Sequence, residues 1–96
     1  DTGNLMYAGI EPYSFFTKHA QRCPILHLKD HLPGKVRGST DLGSGQLELP
    51  RMIASAIASG TKWLVYEQEH SADSFSSARI ALKLITDTFR TFSNKR

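Results

Sequence analysis

Paired cysteines are missing from this chain: Cys23 is its only thiol, which excludes an internal disulfide and fits a reducing, cytoplasmic setting. Long apolar runs are missing too, and no stretch nears the ~20 residues that a membrane span requires. A basic face is also lacking. The net charge is +3, but much of the excess sits in Arg90 and Lys95-Arg96, which reads as a solvated helix end. Nucleic-acid binding would want basic residues spread over one face with aromatics between them. Glycines at dinucleotide or P-loop spacing are absent, so Leu42-Gly43-Ser44-Gly45 reads as a turn. No repeat, low-complexity tract or linker divides the chain. What remains is the apolar content and mixed charge of an ordinary globular protein.

Apolar spacing and turn residues set out the elements. Pro12 suits the first turn of a helix, and Tyr13, Phe16 and Ala20 form its stripe as far as Arg22. Pro24 ends that helix, and Ile25-Leu26-His27-Leu28-Lys29 reads as a short strand. Alternation puts Ile25, His27 and Lys29 on one face and Leu26 and Leu28 on the other. Residues 30 to 48 form a long loop with Pro33-Gly34 as a turn signal, of the kind that is usually functional. A second helix opens at Pro50, carries Leu49, Met52, Ile53, Ala56 and Ile57 inward, and stops at Gly60. Trp63 to Glu67 is a second strand, with Trp63, Val65 and Glu67 on one face. The last helix runs from about Ser74 to Phe92, and its expected buried stripe is Ala78, Leu82, Ile85, Phe89 and Phe92, widened by Ala81 and Leu84. Strands alternating with helices imply a parallel sheet.

Metal-competent side chains sit at or just after the apolar runs. His27 lies inside a strand, and Glu67 ends the next strand on the corresponding face. A buried carboxylate needs a cation, a metal or a proton, so the two together argue against mere packing. Asp1-Thr2-Gly3-Asn4 offers a third carboxylate in residues that also favour a turn. Carboxylate and imidazole without thiolate suit Mn, Co, Zn or Mg better than structural zinc. Lys29 and Asp30 stand where a sugar hydroxyl or phosphate could be met, or else form an exposed ion pair. His19, His31 and His70 read as surface histidines. Strands that end in ligands and lead into loops and helices are how a β/α barrel builds its active rim.

These residues in this order resemble the sugar phosphate isomerase/epimerase family of xylose-isomerase-like barrels. The likeness runs through Asp1-Thr2-Gly3-Asn4, Ala8-Gly9-Ile10-Glu11-Pro12, Arg22, His27-Leu28-Lys29-Asp30, Leu42-Gly43-Ser44-Gly45-Gln46-Leu47-Glu48 and Glu67-Gln68-Glu69. It implies an α/β chain that holds the last two to three βα units of a (β/α)8 TIM barrel, with parallel strands and the N-terminal part absent. It also implies a divalent metal held by Glu, Asp, His and Glu, three of which map onto Asp1, His27 and Glu67. Glu67 would be one of two glutamates that exchange a proton beside a substrate carbonyl, while the metal steadies the enediolate oxygens. Asn4, Lys29 and Asp30 would meet the substrate, a small sugar or sugar phosphate. Several relatives carry His where this chain has Asn4, and Asn cannot shuttle a proton. The apurinic-site endonucleases share the fold, but their extra histidine ligands are replaced here by Asn4 and by Gly38-Ser39-Thr40-Asp41.

The sequence thus predicts part of a metal-dependent sugar isomerase or epimerase, binding neither nucleic acid nor membrane. A same-fold lyase, such as an inosose-type dehydratase, is the nearest enzyme alternative. A non-catalytic half-barrel, self-associating or pairing with the missing half, is the other. The strand is expected to end at Glu67, which would leave Glu69 away from the site.

Overall fold

The computed structural model describes residues 1–32 and 39–93, so the Pro33-Gly34 turn signal, Gly38 and the Lys95-Arg96 tail lie outside the described residues. The elements are α1 (Thr2–Tyr7), α2 (Pro12–His19), a 3-10 turn (Ala20–Arg22), β1 (Ile25–Leu28), β2 (Asp30–His31), β3 (Ser39–Thr40), α3 (Leu49–Ser59), β4 (Trp63–Tyr66) and α4 (Ser74–Ser93). The architecture is mixed α/β. Strands β1 and β4 pair in parallel, with Ile25 opposite Trp63 and Leu28 opposite Tyr66. A second, antiparallel ladder pairs Asp30 with Thr40 and His31 with Ser39. No described helix is long and apolar enough to cross a membrane.

Alternation decides what each face of the parallel pair meets. Leu26 and Leu28 are buried, with Leu64 and Tyr66 packed beside them against a core that includes Phe16, Met52, Ile53, Ala56 and Ala81. The opposite face carries Ile25, Trp63 and Val65, all exposed. A parallel sheet is normally covered on both faces; here the described residues cover only one.

Local chemistry sets the helix ends. In α2, Glu11 caps the first turn, its carboxylate accepting the N–H groups of Tyr13 and Ser14, and Pro12 follows as the first helical residue. Helix α3 ends at Gly60, whose φ of 78° is left-handed and lets its N–H reach back to Ala56 and Ile57.

Four elements differ from expectation. Residues 30 to 48 read as a loop, yet Asp30–His31 and Ser39–Thr40 within them pair as the antiparallel strands β2 and β3, and α1 and α4 differ as well. Helix α1 was not legible, because Thr, Gly and Asn are poor helix formers. It forms through Asp1, whose Oδ1 accepts the Asn4 N–H at 2.9 Å, and through Thr2, which is bonded to the β1 end. In α4 the boundaries agree, and Ala81, Leu84 and Ile85 of the expected stripe pack on the core, but the rest of that stripe does not match. Ser77 and Ala81 are the buried residues, with Leu84 and Ile85 packed partly against the core. Ala78 and Phe89 are exposed, Phe89 at the edge of a cleft with Ile57 and Leu64, and Leu82 is 69% exposed. The reason is polar: Ser77 Oγ donates to Asp41 at 2.5 Å and meets Ser71 Oγ at 2.6 Å, which fixes the helix by a residue that hydrophobic periodicity ignores.

Candidate metal and carboxylate site

The site forms where β1 and β4 leave the sheet. The Glu67 N–H donates to the Leu28 carbonyl, extending the parallel ladder by one bond. Carrying the register onward sets Glu67 beside Lys29 and on the His27 face. His27 Nδ1 lies 3.1 Å from Glu67 Oε1. Asp1 arrives from the start of α1, and one ligand atom from each of Asp1, His27 and Glu67 lies within 4.8 Å of the others. Ligands at about 2.0–2.2 Å from a shared ion lie up to about 4.4 Å apart, so small side-chain adjustments suffice. Two carboxylates and an imidazole are also a donor set that Mn, Co, Zn or Mg accepts.

Lys29 holds the cluster together. Its side chain is 1% exposed, so the exposed pair with Asp30 is not formed. The ammonium instead donates to Glu69 Oε1 at 2.7 Å and to Glu67 Oε2 at 3.1 Å, and lies 3.4 Å from Asp1 Oδ2. Burial pulls the Lys29 pKa down, but the hydrogen bonds and charges of Glu69 and Glu67 outweigh it, and the net shift is upward. Glu67 is held below its ordinary value, first by the hydrogen bond from His27 and then by Lys29. Gly3 makes this possible. A methyl group there would stand 2.7 Å from Lys29 Cγ and 2.8 Å from Cε, so the lysine stem runs directly over the glycine.

Sequence reasoning missed two participants. Thr2 Oγ1 donates to the Lys29 carbonyl at 2.7 Å and accepts the Lys29 N–H at 2.9 Å, clamping α1 to the end of β1. Glu69 was expected away from the site. Strand β4 does end early, but the Ser39 hydroxyl accepts the N–H groups of Glu69 and His70 at 2.6 and 3.2 Å. That bend brings Glu69 onto Lys29. The signal available beforehand was the lysine itself, since a buried ammonium requires carboxylate partners.

Asp30 has a different position from the one expected for a substrate contact. It is buried, and its carboxylate accepts the N–H groups of His31, Gly43, Gly45 and Leu47 at 2.9–3.1 Å. The Leu42 to Leu47 turn is therefore wrapped around a charged acceptor. Asn4 lines a cleft of about 340 Å³ with Asp1, Phe15 and Ile25. A larger cleft, about 470 Å³, lies among Met6, Glu11, Tyr13, Glu48 and Met52 and includes none of the expected site residues. His31 is buried in β2 rather than exposed, and its Nε2 has no hydrogen-bond partner among the described residues. His19 packs its ring against Phe15, and His70 is exposed.

Comparison with family models, with curated proteins and with solved structures returned no match.

Proposed function

We propose that this chain is the C-terminal part of a xylose-isomerase-like TIM barrel, and that the barrel is a metal-dependent sugar or sugar-phosphate isomerase or epimerase. One observation carries the reading: Asp1, His27 and Glu67 converge within 4.8 Å from three separate segments, two of them at the ends of parallel strands. Asp1, His27 and Glu67 would hold a divalent ion. When bound, the ion would polarise a substrate carbonyl and ease proton loss from the neighbouring carbon.

The chain's own residues supply the rest. Glu67 would be the proton-transfer group, and His27 and Lys29 hold its carboxylate in the ionised form that a base requires. Lys29 fixes one Glu67 oxygen, leaving the other turned toward His27. Asn4, which lines a cleft with Asp1, would hydrogen-bond a substrate hydroxyl. Asp30 would support substrate contacts indirectly, by shaping the Leu42 to Leu47 turn after β3.

The chain alone has three ligands and one of the two proposed glutamates. Calorimetric titration with Mn²⁺ is therefore expected to show weak binding that requires Glu67, with no turnover. Supplying the missing half in trans should restore solvent-proton exchange at the substrate carbon. Full turnover by the 96 residues alone, or binding unaffected by Glu67→Gln, would overturn the assignment. A second reading, association without catalysis, draws on the uncovered apolar face of Ile25, Trp63 and Val65.

A further inference from the structure

Of Asp1, His27 and Glu67, only Asp1 lies off the strand pair. His27 is in β1 and Glu67 directly follows β4, so the parallel ladder sets their spacing. Asp1 depends instead on how α1 is seated, and of α1 only Thr2 and Gly3 are buried. Thr2 makes the seat. In the ladder, N–H groups at the two ends of β4 take the carbonyls of Pro24 and Leu28, so alternation turns the N–H and C=O of Lys29 to the other edge of β1. Buried backbone groups there require partners, and one hydroxyl serves for both. Thr2 Oγ1 accepts the Lys29 N–H at 2.9 Å and donates to the Lys29 carbonyl at 2.7 Å, and Thr2 is 0% exposed.

From this we infer that Thr2 is a positioning residue of the site: its hydroxyl, paired with the Lys29 backbone, sets where the Asp1 carboxylate stands against His27 and Glu67. This rests on the metal reading above and adds to it the residue that seats the third ligand. Thr2 is not itself a ligand, since its oxygen is taken up by the Lys29 N–H and C=O, and it acts through Asp1, its neighbour in the chain. The slack is small. The three ligand atoms lie within 4.8 Å of one another, against about 4.4 Å around a shared ion, and a ligand set works within about 0.5 Å of its geometry. The Asp1 side chain cannot offset a larger shift of α1, because its Oδ1 is held by the Asn4 N–H at 2.9 Å and moves with the helix.

The test compares the parent chain with Thr2→Val, Thr2→Ala, Thr2→Ser and Ala81→Leu, all made with the same residue ahead of Asp1. Each is titrated with Mn²⁺ by calorimetry, while circular dichroism and urea denaturation report folding and stability. Thr2→Val keeps the shape of the side chain and removes the hydroxyl. Residues that orient a metal ligand typically carry about 10- to 100-fold in affinity, so Thr2→Val should weaken Mn²⁺ binding about tenfold or more. Thr2→Ala, in which water can satisfy the Lys29 backbone, guards against misfolding of the valine form and should show the same loss, because water does not tether α1. Thr2→Ser keeps the hydroxyl and should bind nearly as the parent does. Ala81→Leu overpacks α4 and should lower stability while leaving Mn²⁺ affinity unchanged. A threonine that serves stability alone predicts that the folded valine and alanine forms bind Mn²⁺ as the parent does. That result, or a loss in Thr2→Ser or Ala81→Leu equal to that in Thr2→Val, would overturn the inference while leaving the metal reading standing. Failure of the parent to bind Mn²⁺ would overturn both.

Discussion

Lys29 and Asp30 are adjacent, both buried, and neutralised by different parts of the chain. Lys29 turns to the carboxylates of Asp1, Glu67 and Glu69, and Asp30 turns to backbone N–H groups of the following loop. Alternation explains why they diverge, since successive side chains leave an extended backbone on opposite sides. Asp30→Asn should therefore cost about 2–4 kcal/mol, because an amide cannot accept as strongly and turns a donor toward other donors. Urea denaturation measures this, and a change under 0.5 kcal/mol would show that the loop does not depend on the carboxylate. Gly3→Ala sets two effects against each other. Helix propensity favours alanine by about 1 kcal/mol, but the new methyl would overlap the Lys29 stem and the His31 ring. Overpacking typically costs about 1–3 kcal/mol, so net destabilisation is expected. Acid should weaken the same cluster. Glu67 has a folded pKa below its unfolded value of about 4.3, so its contribution is present above that pH and fades as pH falls through the folded value. Lys29 is shifted upward from about 10.4, so its contribution persists below that pH and is lost only as pH rises through the higher folded value. Denaturation midpoints across pH should show a plateau between these limits that narrows in Glu67→Gln.

At the scale of elements, apolar spacing was sufficient wherever packing alone decides. Leu49, Met52, Ile53 and Ala56 are buried in α3 as their spacing requires, and Gly60 ends the helix. His27 and Glu67 were legible for a related reason, since strand alternation needs only the strand's location. Helix α4 shows where the rule fails. Its expected stripe Ala78, Leu82, Ile85, Phe89 and Phe92 repeats in steps of four and three, yet Leu82 is 69% exposed while Ile85 packs partly on the core. The buried positions are Ser77 and Ala81. Ser77 carries no hydrophobic signal, and its partners Asp41, Gln68 and Ser71 are scattered along the sequence. Two substitutions separate the two faces. Leu82→Gln should change stability by no more than about 0.5 kcal/mol, as an exposed site does. Ala81→Leu, with no free space, should cost about 1–3 kcal/mol. The reverse order would place Leu82 rather than Ala81 against the core.

At the scale of the whole molecule, the carboxylate site and the uncovered apolar face are on the same side of the parallel pair. Ile25, Trp63 and Val65 alternate with residues packed on the core, and His27 stands among them. The strand ends gather polar groups while the strand middles present apolar ones, an arrangement that the proposed barrel interior would enclose. Among the described residues the apolar face and the outer strand edges are left without a partner, and exposed together they favour association. Trp63 is the only tryptophan and is 66% exposed, so its fluorescence reports directly on this face. In dilute solution its emission should be that of a hydrated indole. Raising the protein concentration, or adding the other half of the proposed barrel, should shift the emission to the blue as the ring leaves water. Sedimentation should show the matching increase in mass. Trp63→Lys, read by sedimentation alone, should weaken that association while leaving the Leu26 and Leu28 side of the sheet intact. Association that proceeds with Trp63 emission unchanged would locate the contact elsewhere, with the outward face of α4 as the next surface to substitute.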